Sequence, residues 1–188
     1  MFEIHVTVES NNVDNFIADC KEFGCKPILI ELESYNKFSY NQLMTSQSFK
    51  RKNYFNEIDR IKKFLVNKGY SISRIKVEVH PNFYNQDIFK YLETHFRVKL
   101  NIKNVEQFGK LCIENNFHKS KNVFKKIDND TFYLMATYRT NVIDLIRFDK
   151  IISNFKNVLN NNSFEFDKVE VEACIIDTNE SLDYKWLL

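Results

Sequence analysis

The chain has 188 residues, 44% of them hydrophobic, enough for one compact core or two closely packed lobes but not for two roomy independent domains. Its 27 basic and 25 acidic residues leave a formal charge of +2, which argues against a protein that coats a polyanion. No apolar run reaches the length of a membrane span, and Met1-Phe2-Glu3-Ile4-His5 lacks the basic-then-apolar order of a signal peptide; the expected location is the cytoplasm, of a host cell if the gene is viral, with no membrane partner.

The first element is an alternating run, Phe2 to Val8, read as a half-buried strand. Val13, Phe16, Ile17 and Cys20 then fall at helical spacing, followed by the extended run Lys26 to Leu32 and a strand around Gln42 to Thr45. A second amphipathic helix carries Phe55, Ile58, Ile61 and Leu65, and Lys76-Val77-Glu78-Val79 closes the first half as a strand. Turn chemistry follows in Pro81-Asn82 and Asn85-Gln86-Asp87.

The pattern then returns. Leu92-Glu93-Thr94-His95-Phe96-Arg97-Val98 repeats the Glu, His and Val of Phe2 to Val8 at the same spacing, and Val105, Phe108, Leu111 and Cys112 repeat the first helix. The counterpart of the extended run, near Lys121 to Ile127, is poorly preserved. Tyr133 to Thr137 reads as a strand, and Leu145, Ile151, Ile152, Phe155 and Leu159 as a helix. Lys168-Val169-Glu170-Val171 repeats the closing strand almost letter for letter. The tail, apolar at Trp186-Leu187-Leu188, is expected to fold back on the body.

Strand, helix, strand, strand, helix, strand in each half implies an α+β fold, a tandem duplication of a βαββαβ ferredoxin-like unit. The expected divisions are a first repeat over 1–82, a linker over 83–90, a second repeat over 91–178 and a tail over 179–188. The expected architecture is two pseudosymmetric lobes with antiparallel sheets whose open faces cover each other; the alternative is two lobes joined edge to edge. Cys20, Cys25, Cys112 and Cys174 form no CxxC pair and sit in or beside apolar patterns, so they read as reduced core thiols. The abundance of Asn, Lys, Ile and Phe, with 3 Gly and 2 Pro, is what an AT-rich genome produces.

Alternation sorts the side chains by face. Ile4, Val6 and Val8 belong under the helices, and Glu3, His5 and Thr7 point the other way; Phe96, Val98 and Leu100 go inward, and Glu93, His95, Arg97 and Lys99 outward. On the closing strands Lys76, Glu78 and His80 fall beside His5, and Lys168, Glu170 and Glu172 beside His95. Two related sets of His, Glu and Lys should therefore face one shared space. His118 reads as a solvated loop histidine.

His5-Val6-Thr7-Val8 resembles the His-x-Thr motif of the 2H phosphoesterases, whose two motifs lie on equivalent strands of two pseudosymmetric lobes. The resemblance implies His5 and His95 as general acid and base on a phosphodiester, and Thr7 holding phosphate oxygens. In the second copy Arg97 stands where Thr or Ser belongs; a guanidinium holds phosphate bidentately.

The residues support three uses of that space. The first is binding of a phosphate-bearing ligand, a nucleotide or an RNA end, by Thr7, Arg97, Lys76, Lys168, Glu78 and Glu170, with or without hydrolysis by His5 and His95. The second is a non-enzymatic binding or protein-interaction module, with Lys76, Arg97, Lys99, Arg139 and Lys168 as a cationic groove flanked by Lys50-Arg51-Lys52 and Lys119 to Lys126. The third is a His/Glu metal site from His5, Glu78 or His80, His95 and Glu170. No P-loop, Gly-rich dinucleotide fingerprint, nucleophile elbow or HExxH is present, so no cofactor is expected. The sequence leaves the oligomeric state open.

Overall fold

In the computed structural model of the chain, the described residues are 1–33, 39–50, 53–123, 127–128 and 130–186. The first half runs β1 (Phe2–Glu9), α1 (Val13–Phe23), β2 (Lys26–Glu33), β3 (Ser39–Phe49), α2 (Tyr54–Asn67) and β4 (Ser71–Val79). The second runs β5 (Tyr91–Asn101), α3 (Val105–Glu114), β6 (His118–Asn122), β7 (Thr131–Thr140), α4 (Leu145–Asn161) and β8 (Glu165–Asp177), and a 3-10 turn, Glu180–Trp186, follows.

Each helix follows from local chemistry. Asn12, Asn53 and Asp144 cap α1, α2 and α4 by accepting from Asn15, Asn56 and Arg147 backbone N–H groups. A residue with positive φ follows each helix: Gly24 (81°) and Gly69 (87°) in the first half, Asn116 (60°) and Ser163 (58°) in the second. The Gly24 N–H reaches the Cys20 carbonyl at 3.0 Å and so consumes an orphan acceptor of α1.

The strands close completely. Their order is β1-β3-β2-β6-β7-β5-β8-β4, and β4 returns to β1, giving an eight-stranded antiparallel barrel. This corrects the expected duplicated ferredoxin-like architecture of two lobes with separate open sheets facing each other. The edge strands of the halves pair instead: Ile30 with Asn122, Glu31 with Lys121 and Leu32 with Ser120 at one seam, and Lys76 with Asp177 through Val79 with Ala173 at the other. Pairing at both seams satisfies backbone groups that open sheets would leave exposed. Edge-to-edge joining, the alternative, occurs twice and thereby becomes closure. The strand of the weakly preserved stretch also lies earlier than expected, and His118 opens β6 rather than a loop.

Closure fixes the layers. Ile4, Val6 and Val8 are buried on the barrel's outer face with Phe16, Cys20 and Leu65 of α1 and α2, and Phe96, Val98 and Leu100 are buried with Phe108, Cys112 and Phe155 of α3 and α4. Phe117 stacks on Phe155 with centroids 3.7 Å apart. Burying each such side chain stabilises the fold by about 1.5–3 kcal/mol. The hydrophobic core therefore lies between barrel and helices, and the opposite strand face lines the barrel's interior. Among the described residues no helix is long and apolar enough to cross a membrane. Residues 51–52, 124–126 and 187–188, parts of the basic stretches and of the tail, lie outside the described residues.

Candidate functional site: the barrel lumen

Eight strands enclose an interior just wide enough for packed side chains or one small ligand. Here the inward residues leave a cavity of about 550 Å³. Of the residues expected to share a space, His5, Thr7, Lys76, Glu78, His95, Lys168 and Glu170 line this lumen. Arg97 does not: it stacks on Tyr133 and grips Asp167 with two hydrogen bonds of 2.7 Å. Exposed His80 caps the turn Pro81–Phe83, away from the lumen.

The lumen has two unlike walls. Every carboxylate that a strand contributes to the described lining comes from the contiguous strands β1, β4, β8 and β5: Glu3, Glu78, Glu170, Glu172 and Glu93. Both histidines lie there too. The apolar lining side chains, Ile28 and Ile30 of β2, Met44 of β3 and Met135 of β7, come from the opposite four strands.

Lys76 organises the ionic wall. Its ammonium lies 2.5 Å from Glu78 and also touches Glu93 from the other half. Lys76 is held above the usual lysine range: burial opposes its charge, but the two carboxylates outweigh burial. Burial raises the Glu93 carboxyl, yet Arg139 and Lys76 bring it down to about 2.

His5 Nε2 is 3.0 Å from Glu78 and 3.6 Å from Glu3. Burial works against the imidazolium, but the Glu78 hydrogen bond and charge prevail and raise the pKa above 6.5. His95 Nε2 is 3.3 Å from Glu172 and 3.8 Å from Glu93, and its Nδ1 is 2.8 Å from Thr137 Oγ1. Burial is again overcome, and its pKa reaches about 9. Both nitrogens of His95 are thus engaged, whereas His5 Nδ1 is buried without a hydrogen-bond partner among the described residues.

The repeated text misplaces one partner. His5 lies opposite Lys76 and pairs ionically with Glu78, two residues further along β4; His95 lies opposite Glu170 and pairs with Glu172, two residues further along β8. Structurally Lys76-x-Glu78 therefore matches Glu170-x-Glu172, not Lys168-x-Glu170. Two residues are one strand period, so the slip preserves the face and changes the partner. Alternation had placed Glu172 beside His95, but the letter match favoured Glu170, which pairs with Lys168 instead.

The sequence missed how one end of the lumen is stopped. Asp183, from the terminal 3-10 turn, lies 2.7 Å from Arg74 and 2.5 Å from Arg139 and accepts from Gln42 at 3.3 Å. Arg74 also meets Asp177, which accepts from the Tyr91 hydroxyl at 2.6 Å. Only the apolar tail hinted at such a return.

Donor atoms of Glu78, Glu93 and His95 lie within 4.8 Å of one another, a spacing that suits a metal ion. Lys76 already contacts both carboxylates there, and a second cation would face its charge.

No protein-family model and no curated protein matches the chain. Solved structures similar to it include one provisionally assigned as a glycine cleavage system transcriptional repressor, at 10% identity and TM-score 0.32, covering 90% of this chain and 96% of that one. A provisionally assigned monooxygenase from Lactobacillus acidophilus NCFM has 10% identity and TM-score 0.32, covering 94% and 92%. Another from Fusobacterium nucleatum has 8% identity and TM-score 0.35, covering 95% and 93%. Likeness this slight transfers no function. The fold is a closed barrel, Arg97 is turned to Asp167 and both ring nitrogens of His95 are occupied; the resemblance to the 2H phosphoesterases is thereby corrected.

Proposed function

We propose that the protein binds a small amphipathic molecule in its barrel lumen, with the apolar part on Ile28, Ile30, Met44 and Met135 and the polar part on the histidine and glutamate wall. The two-sided lining of a single cavity carries this reading. A purely structural lumen would be filled, whereas this one keeps room beside fixed, ion-paired groups. His5, with one nitrogen on Glu78 and the other unpartnered among the described residues, is the residue through which binding would extend to proton transfer.

The test is native mass spectrometry and thermal shift on the purified protein and on Met135→Trp, which fills the apolar wall. The expected result is a bound mass, or a ligand-induced stabilisation, that Met135→Trp removes. Ligand binding unchanged in that variant overturns the reading.

A phosphate-bearing ligand is a second reading, favoured by Lys26: it lines the lumen with an exposed ammonium that has no carboxylate partner among the described residues. Charge balance weighs against it, because Arg74, Lys76, Arg139 and Lys168 each already touch a carboxylate. Stabilisation by phenyl phosphate that fades with added salt would favour it over the first reading. Cytoplasmic residence fits the four buried free thiols.

A further inference from the structure

Asp183 is placed as a ligand would be. It comes from the turn that follows β8, and its carboxylate enters the stopped end of the lumen, where it meets Arg74 at 2.7 Å and Arg139 at 2.5 Å and accepts from Gln42 at 3.3 Å. The residue is 3% exposed. Burial works against its charge, yet Arg139 and Arg74 hold its carboxyl below the ordinary aspartate range.

The groups that receive this carboxylate are positioned by other partners. Arg74 donates two hydrogen bonds to Asp177, of 2.9 and 2.5 Å, and Arg139 donates two to Glu93, of 3.2 and 3.0 Å. The Arg139 guanidinium also lies over the Tyr91 ring, 4.3 Å from its centroid. Strands β4, β7 and β3 thus aim two guanidiniums and an amide at one point, and the arginines keep these partners when Asp183 withdraws. The segment itself is anchored before Asp183: the Thr178 N–H reaches the Ile75 carbonyl at 3.1 Å, and the Asn179 amide donates to the Ser73 carbonyl at 3.1 Å.

The apolar wall begins beside the same point. Ile30 lies opposite Gln42, and Ile28 lies opposite Met44, one strand period further along the lumen. On the other side Leu182 lines a second cavity, of about 470 Å³, which shares Thr7 and Gln42 with the lumen. Leu182 and Asp183 therefore stand between the two cavities.

Resting on the lumen as the binding site, we propose that its ligand is an apolar carboxylate whose head displaces Asp183 from Arg74, Arg139 and Gln42 and whose body lies on Ile28, Ile30 and Met44. Asp183 closes the site when the ligand is absent. Glu93, which holds Arg139, belongs to the histidine and glutamate wall, so the head lies at the end of that wall. An anion added to the lumen would meet cations that already touch carboxylates, whereas one exchanged for Asp183 leaves the local charge as it was.

The experiment is isothermal titration of the full-length protein and of Asp183→Ala at neutral pH with 4-phenylbutanoate, 4-phenylbutanamide and acetate, together with hydrogen exchange of the wild type. 4-Phenylbutanoate should bind Asp183→Ala at least about tenfold more tightly than the wild type, because its competitor is gone, and should bind both more tightly than the uncharged amide of the same shape. The amide should gain nothing from the substitution. In the wild type 4-phenylbutanoate should speed exchange at residues 179–183, where a ligand that leaves the turn in place would not; this readout stands even if Asp183→Ala fails to fold. Equal affinity for acid and amide, exchange at residues 179–183 unchanged or slowed, or no binding of the acid overturns the inference, and the lumen stands if Met135→Trp still removes a bound mass. Acetate that gains affinity in Asp183→Ala and matches 4-phenylbutanoate there overturns the lumen reading instead, because the apolar wall would then add nothing.

Discussion

Lys76 on β4 touches Glu93 on β5 although the two strands are not neighbours, because β8 runs between them and both side chains reach across its inner face. A contact between the halves thus sits at the centre of the lumen, and Lys76 neutralises carboxylates from both.

Lys76→Met is expected to lower stability by about 3 kcal/mol in urea denaturation, because it leaves buried Glu78 and Glu93 short of a partner. Adding Glu93→Gln should restore part of the loss. Strictly additive effects would show that the pair does not interact.

The pKa of His95, about 9 against an ordinary 6.5, means that folding takes up a proton there. The associated stability is complete below pH 6.5 and disappears as the pH climbs through about 9. Melting temperature should therefore fall over that window, by roughly 6–12 °C for about 3 kcal/mol in a chain of this size, and less in His95→Gln. Glu93, held at about 2 against 4.5, acts oppositely: its contribution is present above 4.5 and is lost as the pH falls through about 2. An equal alkaline decline in His95→Gln would remove His95 as the cause.

Asp183→Ala strips Arg74 and Arg139 of their shared carboxylate. A loss of about 3 kcal/mol is expected, with faster hydrogen exchange at residues 179–183 as the turn leaves the barrel end. Unchanged exchange would mean that the backbone contacts alone hold the stopper.

Arg97→Ala should cost no more than about 1 kcal/mol, since its bond to Asp167 is solvent-exposed, and should leave ligand affinity untouched. A large loss of affinity would return Arg97 to the site.

Ser163 holds φ at 58°, a region that costs a side-chain-bearing residue about 1–2 kcal/mol. Ser163→Gly should stabilise the fold by about 0.5–1 kcal/mol, part of the gain being offset by the freer unfolded chain. A lower denaturation midpoint would show that the Ser163 side chain contributes more than its strain costs.

What the sequence determined is the inside and outside of each strand. Alternation along Phe2 to Val8 and Leu92 to Val98 separates Ile4, Val6, Phe96 and Val98 from His5 and His95, because the pleat turns successive residues to opposite faces without reference to the rest of the chain. The helical spacing of Val13, Phe16, Ile17 and Cys20 marks α1 for the same local reason. Only the tertiary structure decided which edges meet, that β2 finds β6 and β4 finds β8, and hence that the polar faces enclose one lumen instead of two facing sheets. It also decided that Glu172 rather than Glu170 meets His95 and that Asp183 returns to stop one end. Strand partners and registers bring together residues far apart in the chain, and a shift by one strand period leaves the local alternation unchanged, so the letters alone do not distinguish the alternatives.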